Sequence, residues 1–382
     1  MSDSYKLSDI YELQMGKTPS RDISDYWADG QYDWISIADL SKCEKYINQT
    51  KERITNRAIE ESGIKVIPTD TIIMSFKLSI GKVAITQRPV YSNEAIMAFI
   101  DKGVTYILPQ YAFYLFSAQK WDKGTNRAVM GATLNKATLS QYRVSIHNAD
   151  EQAEIVNRLN KITDLINFRR KQIQKIDDLV KSQFIEMFGD MATNSKSWTV
   201  VPLSDISAYF NGLTYKPENV SPDGLIVLRS SNIQDGELDF ADIVRVDSTV
   251  KEKLYVRDGD ILMCSRNGSA KLVGKVAQIR HLNEPATFGA FMMIIRTEFP
   301  EFLITYFRMP VFREQIKVGA TTIINQITSS MLDKIKLPLP PKPLISRFAR
   351  FVEQTDKSKF RIKQSLEKLE TCYNAMLQKY FG

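Results

Sequence analysis

Two stretches of this chain repeat their apolar residues at alternating steps of four and three. The first carries Ile155, Leu159, Ile162, Ile166, Ile173, Ile176, Val180 and Met187; the second seam runs Ile345, Phe348, Val352, Thr355, Lys359, Ile362, Leu366, Leu369, Tyr373, Met376 and Tyr380, with Thr355 and Lys359 as its polar positions. That spacing lines one stripe of a long helix, the pattern of a coiled-coil seam. Asn148 followed by Glu151 offers a capping box at the first start. Pro338, Pro340, Pro341 and Pro343 forbid an early start for the second. The helices are therefore expected over 148–189 and 344–382. Arg169 and Gln183 interrupt the first seam, where polar residues can set register. A helix of about 38 residues is roughly 57 Å long at 1.5 Å per residue, so its stripe needs cover. The economical partner is the other helix, packed antiparallel; the alternative is that each folds back on its own unit as ordinary core.

Ahead of each helix the pattern is one of short β-rich runs bounded by turns. Trp34–Ile37, Thr71–Met74 and Lys82–Thr86 read as strands in the first half, separated by Asp29-Gly30, Ser62-Gly63 and Arg88-Pro89, with a helix over Pro109–Trp121. Leu225–Leu228, Asp260–Met263, Lys275–Ile279 and Phe291–Ile295 read as strands in the second half, followed by a helix over Pro300–Val318. Landmarks repeat in order. Leu7-Ser8-Asp9-Ile10 returns as Leu203-Ser204-Asp205-Ile206, Gly81–Ala84 as Gly274–Ala277, Gly131–Thr133 as Gly319–Thr321, and Phe188-Gly189 as Phe381-Gly382. The fold class expected is α+β: recognition-type domains over 1–147 and 190–343, separated by two long antiparallel coiled-coil helices, pseudo-two-fold and nearly circular. The copies diverge most between Ser75–Ile80 and the longer Cys264–Val273, as two units reading two ligands would, and as drift after duplication also would.

Composition narrows the class. Hydrophobic residues make up 43% with no apolar run long enough for a membrane span, and the N-terminus has no basic-then-apolar leader, so a soluble cytoplasmic protein is expected. Cys43, Cys264 and Cys372 stand far apart, without metal-ligand or disulfide spacing. A formal charge of +7 suits a polyanionic partner without requiring one.

Catalytic motifs fail on inspection. Gly16-Lys17-Thr18 ends like a phosphate-binding loop, but Tyr11 stands where the first glycine belongs and Pro19 where the helix should begin. Gly274-Lys275 is followed by Val276 rather than a hydroxyl residue. No Gly-x-Gly exists for a dinucleotide or methyl donor, and Pro340-Pro341 lacks the polar and aromatic neighbours that grip a flipped base. His147 and His281 have no ligand or nucleophile at diagnostic spacing. The chain reads as a binder, with no metal and no catalytic residues.

The whole chain resembles the specificity subunit of type I restriction-modification systems. The resemblance lies in Gly16–Ser20, Tyr26-Trp27 and Trp34–Leu40, then in Val227–Ile233, Asp235–Asp239 and Asp258–Leu262, with Glu151-Gln152 opening the first helix. The second helix lacks that Glu-Gln pair. The resemblance implies a non-catalytic subunit whose two target recognition domains each read one half of a bipartite asymmetric site in double-stranded DNA. It implies paired helices that fix the spacer length and dock two methyltransferase subunits, with restriction subunits in the full complex. Methyl donor and ATP then belong only to partner subunits. Basic residues would hold phosphates and polar residues would read base edges, both from loops at strand ends. Candidates are Lys17, Ser20, Arg21, Lys77, Ser79, Asn126, Arg127, Asn135 and Lys136 in the first unit, and Lys216, Arg229, Ser231, Asn232, Arg266, Asn267, Lys271, Asn325 and Gln326 in the second. For each, a solvated surface role is the competing reading. For the chain, the rivals are a catalytic DNA methyltransferase, or a part of one, and a protein-binding scaffold that touches no DNA.

Overall fold

The computed structural model describes residues 3–77, 79–121, 134–317 and 326–382, and the chain divides into two compact units, residues 1–170 with 364–382, and residues 171–363. The Gly-Ala-Thr landmarks, with Asn126, Arg127 and Asn325, lie outside the described residues.

In the first unit, strands Tyr11–Met15, Ile96–Asp101, Ile72–Ser75, Val83–Thr86 and Tyr46–Ile47 form a sheet in that order. Its central strands are buried along their whole length because both faces are covered. Ile72, Met74, Ile85, Met97 and Phe99 face a core with helix Pro109–Ala118 and the start of the first long helix. Ile73, Ala84, Ile96 and Ala98 face the other way, against Ile35 and Leu40. A smaller sheet orders Glu52–Ile54, Tyr32–Ile35 and Tyr91–Ser92, antiparallel then parallel.

The second unit repeats this plan. Ser207–Asn211, Met292–Thr297, Ile261–Cys264 and Val276–Gln278 form the main sheet, and Val244–Val246, Val220–Leu228 and Ala286–Phe288 the smaller one, again antiparallel then parallel. Ile261, Met263 and Ile295 join the helix-side core, while Leu262, Ala277 and Ile294 join a core with Ile226, Leu228 and Phe288. Each unit also closes a two-stranded ladder, Asp3–Lys6 with Arg143–Ile146 and Thr199–Pro202 with Lys336–Leu339, just before a long helix. Pro338 is tolerated there because a two-stranded ladder leaves one edge unpaired.

The long helices span Ala149–Phe188 and Lys342–Phe381. The Asn148 side chain accepts from the Glu151 amide at 2.9 Å, as the capping box predicts. The second helix starts before the expected 344, because Pro343 falls in the first turn, where a missing N–H costs nothing. Both helices contribute to both units. Within the first unit, Ile155 and Leu159 are buried, and Tyr373, Met376 and Phe381 pack on the same core. Arg158 donates to Tyr380 at 3.3 Å and Arg170 pairs with Glu370 at 2.8 Å, an antiparallel register. Within the second unit, Phe184 and Phe188 close on Phe348, and Asp177 meets Lys359 at 2.7 Å, antiparallel again. Of the remaining seam residues, Ile166 and Val352 are buried, and Ile162, Ile173, Ile176, Val180, Ile362, Leu366 and Leu369 are half-buried.

Local expectations fail at three places. The Trp34–Ile37 strand ends at Ile35, because Ser36 caps a helix, Ile37–Lys42, through the amide of Asp39. The helix expected to reach Trp121 stops at Ala118. The helix expected over Pro300–Val318 is two, Pro300–Phe307 and Pro310–Lys317, since Pro310 offers no amide and disfavours helical geometry in the residue before it.

Candidate nucleic-acid interface

One turn in each unit gathers the loops that carry most of the candidates. In the first unit it is Ser92–Ala95. The Ser92 carbonyl accepts from the Lys17 amide (2.8 Å), the Asn93 amide donates to Ile35 (3.0 Å), and the Ala95 carbonyl accepts from Phe76 (3.0 Å). In the second unit it is Phe288–Phe291, where Phe288 accepts from Leu213 (2.7 Å), Gly289 donates to Leu228 (2.9 Å) and Phe291 accepts from Ser265 (3.0 Å). The same three loops therefore meet at the same hub in both copies. The approach is close enough to require glycine. A Cβ on Gly16 would lie 2.3 Å from the Asn93 carbonyl oxygen, and one on Gly212 would lie 2.1 Å from that of Gly289. The repeated Gly81 and Gly274, both at positive φ, close the variable connection by donating to Ser75 and Cys264.

In the first unit the hub is stiffened by aromatic rings. Trp34 Nε1 donates to the Lys17 carbonyl and Trp27 Nε1 to that of Ser20, each at 3.0 Å. Arg21 lies over the Trp27 ring at 3.7 Å and grips Glu52 with both terminal nitrogens. That bond raises the Arg21 pKa and lowers that of Glu52, so the pair stays ionised. Lys17 Nζ donates to the Ser62 carbonyl, and Ser20 Oγ accepts from the Asp22 amide at 3.4 Å. Glu94, on the hub itself, bonds Thr18. Lys77 is exposed beside the Phe76 ring and, among the described residues, has no carboxylate partner. Ser79 is exposed at positive φ, its carbonyl accepting from Ser75 Oγ. Asn135 caps helix Lys136–Gln141 through the Thr138 amide, and that helix packs on Leu7–Ile10 and Tyr11–Met15. Asn135 is thus committed to its own backbone, while Lys136 is exposed.

The second unit joins its candidates more tightly. Asn267 Nδ2 donates to Ser230 Oγ (3.3 Å), and Arg266 forms a backbone bridge with Gln326. Arg229 pairs with Asp242 at 2.7 Å, and its Nε and the Ser231 Oγ are buried without a hydrogen-bond partner among the described residues. Arg266 lies over the exposed ring of Phe291 at 5.6 Å, and neither it nor Lys271 has a carboxylate partner among the described residues. Lys216 faces Glu218 at 3.3 Å. Asn232 departs from expectation. It is 1% exposed, caps the Arg229 amide and donates to the carbonyls of Asp239 and Asp242, so it builds the loop rather than presenting an edge. Asp39 likewise accepts from the Ser36 amide in the first unit.

The hub residues Asn93, Glu94, Gly289 and Phe291 were not singled out from sequence. Their signal is the 196-residue offset shared with Leu7 and Leu203, which carries Asn93 to Gly289. Among the described residues no group of His, Cys, Asp or Glu is placed to hold a metal ion, and no helix is long and apolar enough to cross a membrane.

Comparison with known proteins points to one family. The family described as "Type I restriction modification DNA specificity domain" matches residues 2–178 and again 195–371. The type I restriction enzyme MjaIX specificity subunit of Methanocaldococcus jannaschii is 23% identical over 99% of this chain and 92% of its own length. The EcoKI specificity subunit of Escherichia coli is 31% identical, over 48% of this chain and 42% of its own length. Among solved structures, the S subunit of a type I restriction-modification system from M. genitalium is similar in fold, with a TM-score of 0.51 at 15% identity over 100% of this chain and 96% of that one. A chain from a type I R-M system, solved to explain complex assembly and conformational transition, has a TM-score of 0.57 at 15% identity, covering 100% and 97%.

Proposed function

We propose, from the premise that this chain belongs to the type I restriction-modification DNA specificity family, that its two units read the two halves of one bipartite, asymmetric double-stranded DNA site. The chain is a specificity subunit, recognising DNA sequence without catalysing a reaction. The observation that carries the bipartite reading is the hub built twice: identical backbone bonds present loops whose side chains differ. A fixed frame with variable loops suits one task performed on two sequences.

In this reading Lys77, Arg266 and Lys271 meet phosphates, since no carboxylate among the described residues neutralises them. Arg21 and Arg229 present guanidinium groups already oriented by Glu52 and Asp242, carboxylates that a base edge or a phosphate would share or displace. The long helices act as a spacer and as the dock for two methyltransferase subunits, with restriction subunits joining the full complex. The methyl donor and ATP are then bound by those partners. The antiparallel helix contacts inside each unit support this use of the seam.

The test is a change of length. Removing seven residues from one helix shifts its end by roughly 10 Å, about three base pairs. Sequencing methylated DNA from a host carrying the assembled system should then show an altered spacer between unaltered half-sites. Altered half-sites, or methylation without sequence preference, would refute the reading.

A further inference from the structure

The surface around the second hub contains one group that does not fit its surroundings. Phe291 is 58% exposed, although the adjoining loops are polar and basic. It is held firmly: its carbonyl accepts the amides of Ser265 (3.0 Å) and Arg266 (3.1 Å), and the turn is closed by Met292 donating to Gly289 at 2.8 Å. The Arg266 guanidinium sits over the ring, 5.6 Å from its centre. The equivalent hub position in the first unit is Ala95, only 6% exposed. An aromatic ring in water at a place where the sister copy buries a methyl group forgoes burial that the fold could have provided.

Resting on the DNA-reading role above, we propose that Phe291 contacts the 5-methyl group of a thymine in the half-site read by the second unit. An intact duplex offers a protruding ring few apolar partners. Its backbone is charged and its base edges carry donors and acceptors, while the thymine methyl is the apolar group displayed in the major groove. Base faces are stacked, and reaching them would require unstacking. Arg266 holds the ring in place and brings a positive charge to the same spot, which suits a site lined by phosphates. Phe291 is then a specificity-determining residue of the second unit alone.

The experiment uses the assembled specificity and methyltransferase complex and a duplex bearing its methylation-defined target. Each thymine is replaced in turn by deoxyuridine, which removes only the methyl group. One replacement should weaken wild-type binding about fourfold, the worth of one buried methyl. Phe291→Ala should bind the unmodified duplex about as weakly and be indifferent to that replacement, while responding like wild type to changes in the other half-site. The inference is overturned if no replacement affects the wild type, if Phe291→Ala keeps the same sensitivity, or if the variant no longer assembles, which would put the ring beneath a protein partner. A wild-type complex with no preference for its target would instead refute the DNA-reading role itself.

Discussion

The two hubs share a backbone and differ in how they manage charge. In the first unit the guanidinium of Arg21 is stacked on Trp27 and neutralised by Glu52, and Glu94 stands on the hub turn. In the second unit Arg266 and Lys271 are free of carboxylates among the described residues, position 290 is Ala, and Phe291 is exposed. The frame is set by bonds any residue's backbone can make, together with glycines that let two chains approach. The surface is set by the loop side chains, some of which, such as Asn232, are also bonded into the frame. A shared backbone with differing loop side chains lets the surface of each unit change without refolding.

Breaking the charge difference should have the largest effect. Replacing Arg229, Arg266 and Lys271 together with Ala should lower affinity of the assembled complex for its target at least 100-fold and flatten its salt dependence, since each lost contact is worth about 1–3 kcal/mol. Arg21→Ala with Lys77→Ala should cost less, because among the described residues only Lys77 lacks a carboxylate there, whereas Arg266 and Lys271 both lack one in the second unit and Arg229, like Arg21, is already paired. Competition binding at two salt concentrations compares them, and equal losses would show that the ion pair at Arg21 is immaterial.

The shared frame can be tested next. Gly16→Ala and Gly212→Ala each place a methyl group within 2.3 Å of backbone oxygen, so each should destabilise its unit by about 1–3 kcal/mol or more in urea unfolding. Gly268→Ala, with no atom within 4 Å of the added carbon, should change stability by less than about 0.5 kcal/mol. A tolerated Gly212→Ala would mean the second hub does not need the close approach.

A smaller contrast lies in two lysines that hold the helices. Burial pushes Lys45 down to about 8, with Asp164 acting the other way, while its Nζ donates to Asn160 on the first helix at 2.7 Å. Burial also acts to lower Lys359, but bonds to Asp177 and Glu237 outweigh it and leave the pKa raised. The signs follow from linkage. Between about pH 8 and the ordinary lysine value of 10.5 the unfolded state binds more protons at Lys45, so this residue makes stability rise with pH. Lys359 stabilises fully below 10.5 and loses its contribution as pH climbs toward its raised folded value. Urea unfolding from about pH 7.5 upward should give a Lys45→Met difference curve that slopes between about 8 and 10.5, where the Lys359→Met curve stays flat, and a Lys359→Met curve that slopes the opposite way only above 10.5. Parallel curves would contradict the assignment.

The heptad stripes, the duplication and the strand runs were legible because each is a local periodicity. Ile155, Leu159, Phe348 and Val352 are buried where the stripe puts them. Boundaries were less legible where a single side chain decides them, as Ser36 does by capping a helix out of an expected strand and Pro310 by dividing one helix into two. The hub could be reached only through the repeat offset, because Ser92, Asn93, Gly289 and Phe291 look like ordinary turn or strand-edge residues.

What the sequence determined by itself was the kind of molecule: two copies of one α+β unit, each followed by a long seam-bearing helix, with no catalytic constellation and with the motifs of a DNA specificity subunit. Tertiary structure decided which polar residues are available to a ligand. Asn232 and Asn267 lie in neighbouring loops, yet one is consumed by nearby backbone and the other ties two loops together. Periodicity is carried along the chain and survives in the sequence. Hydrogen-bond partners are set by the path of the folded loops, 3 to 10 residues away for Asn232 and 37 for Asn267, so whether a side chain is spent or free exists only once the fold has brought them together.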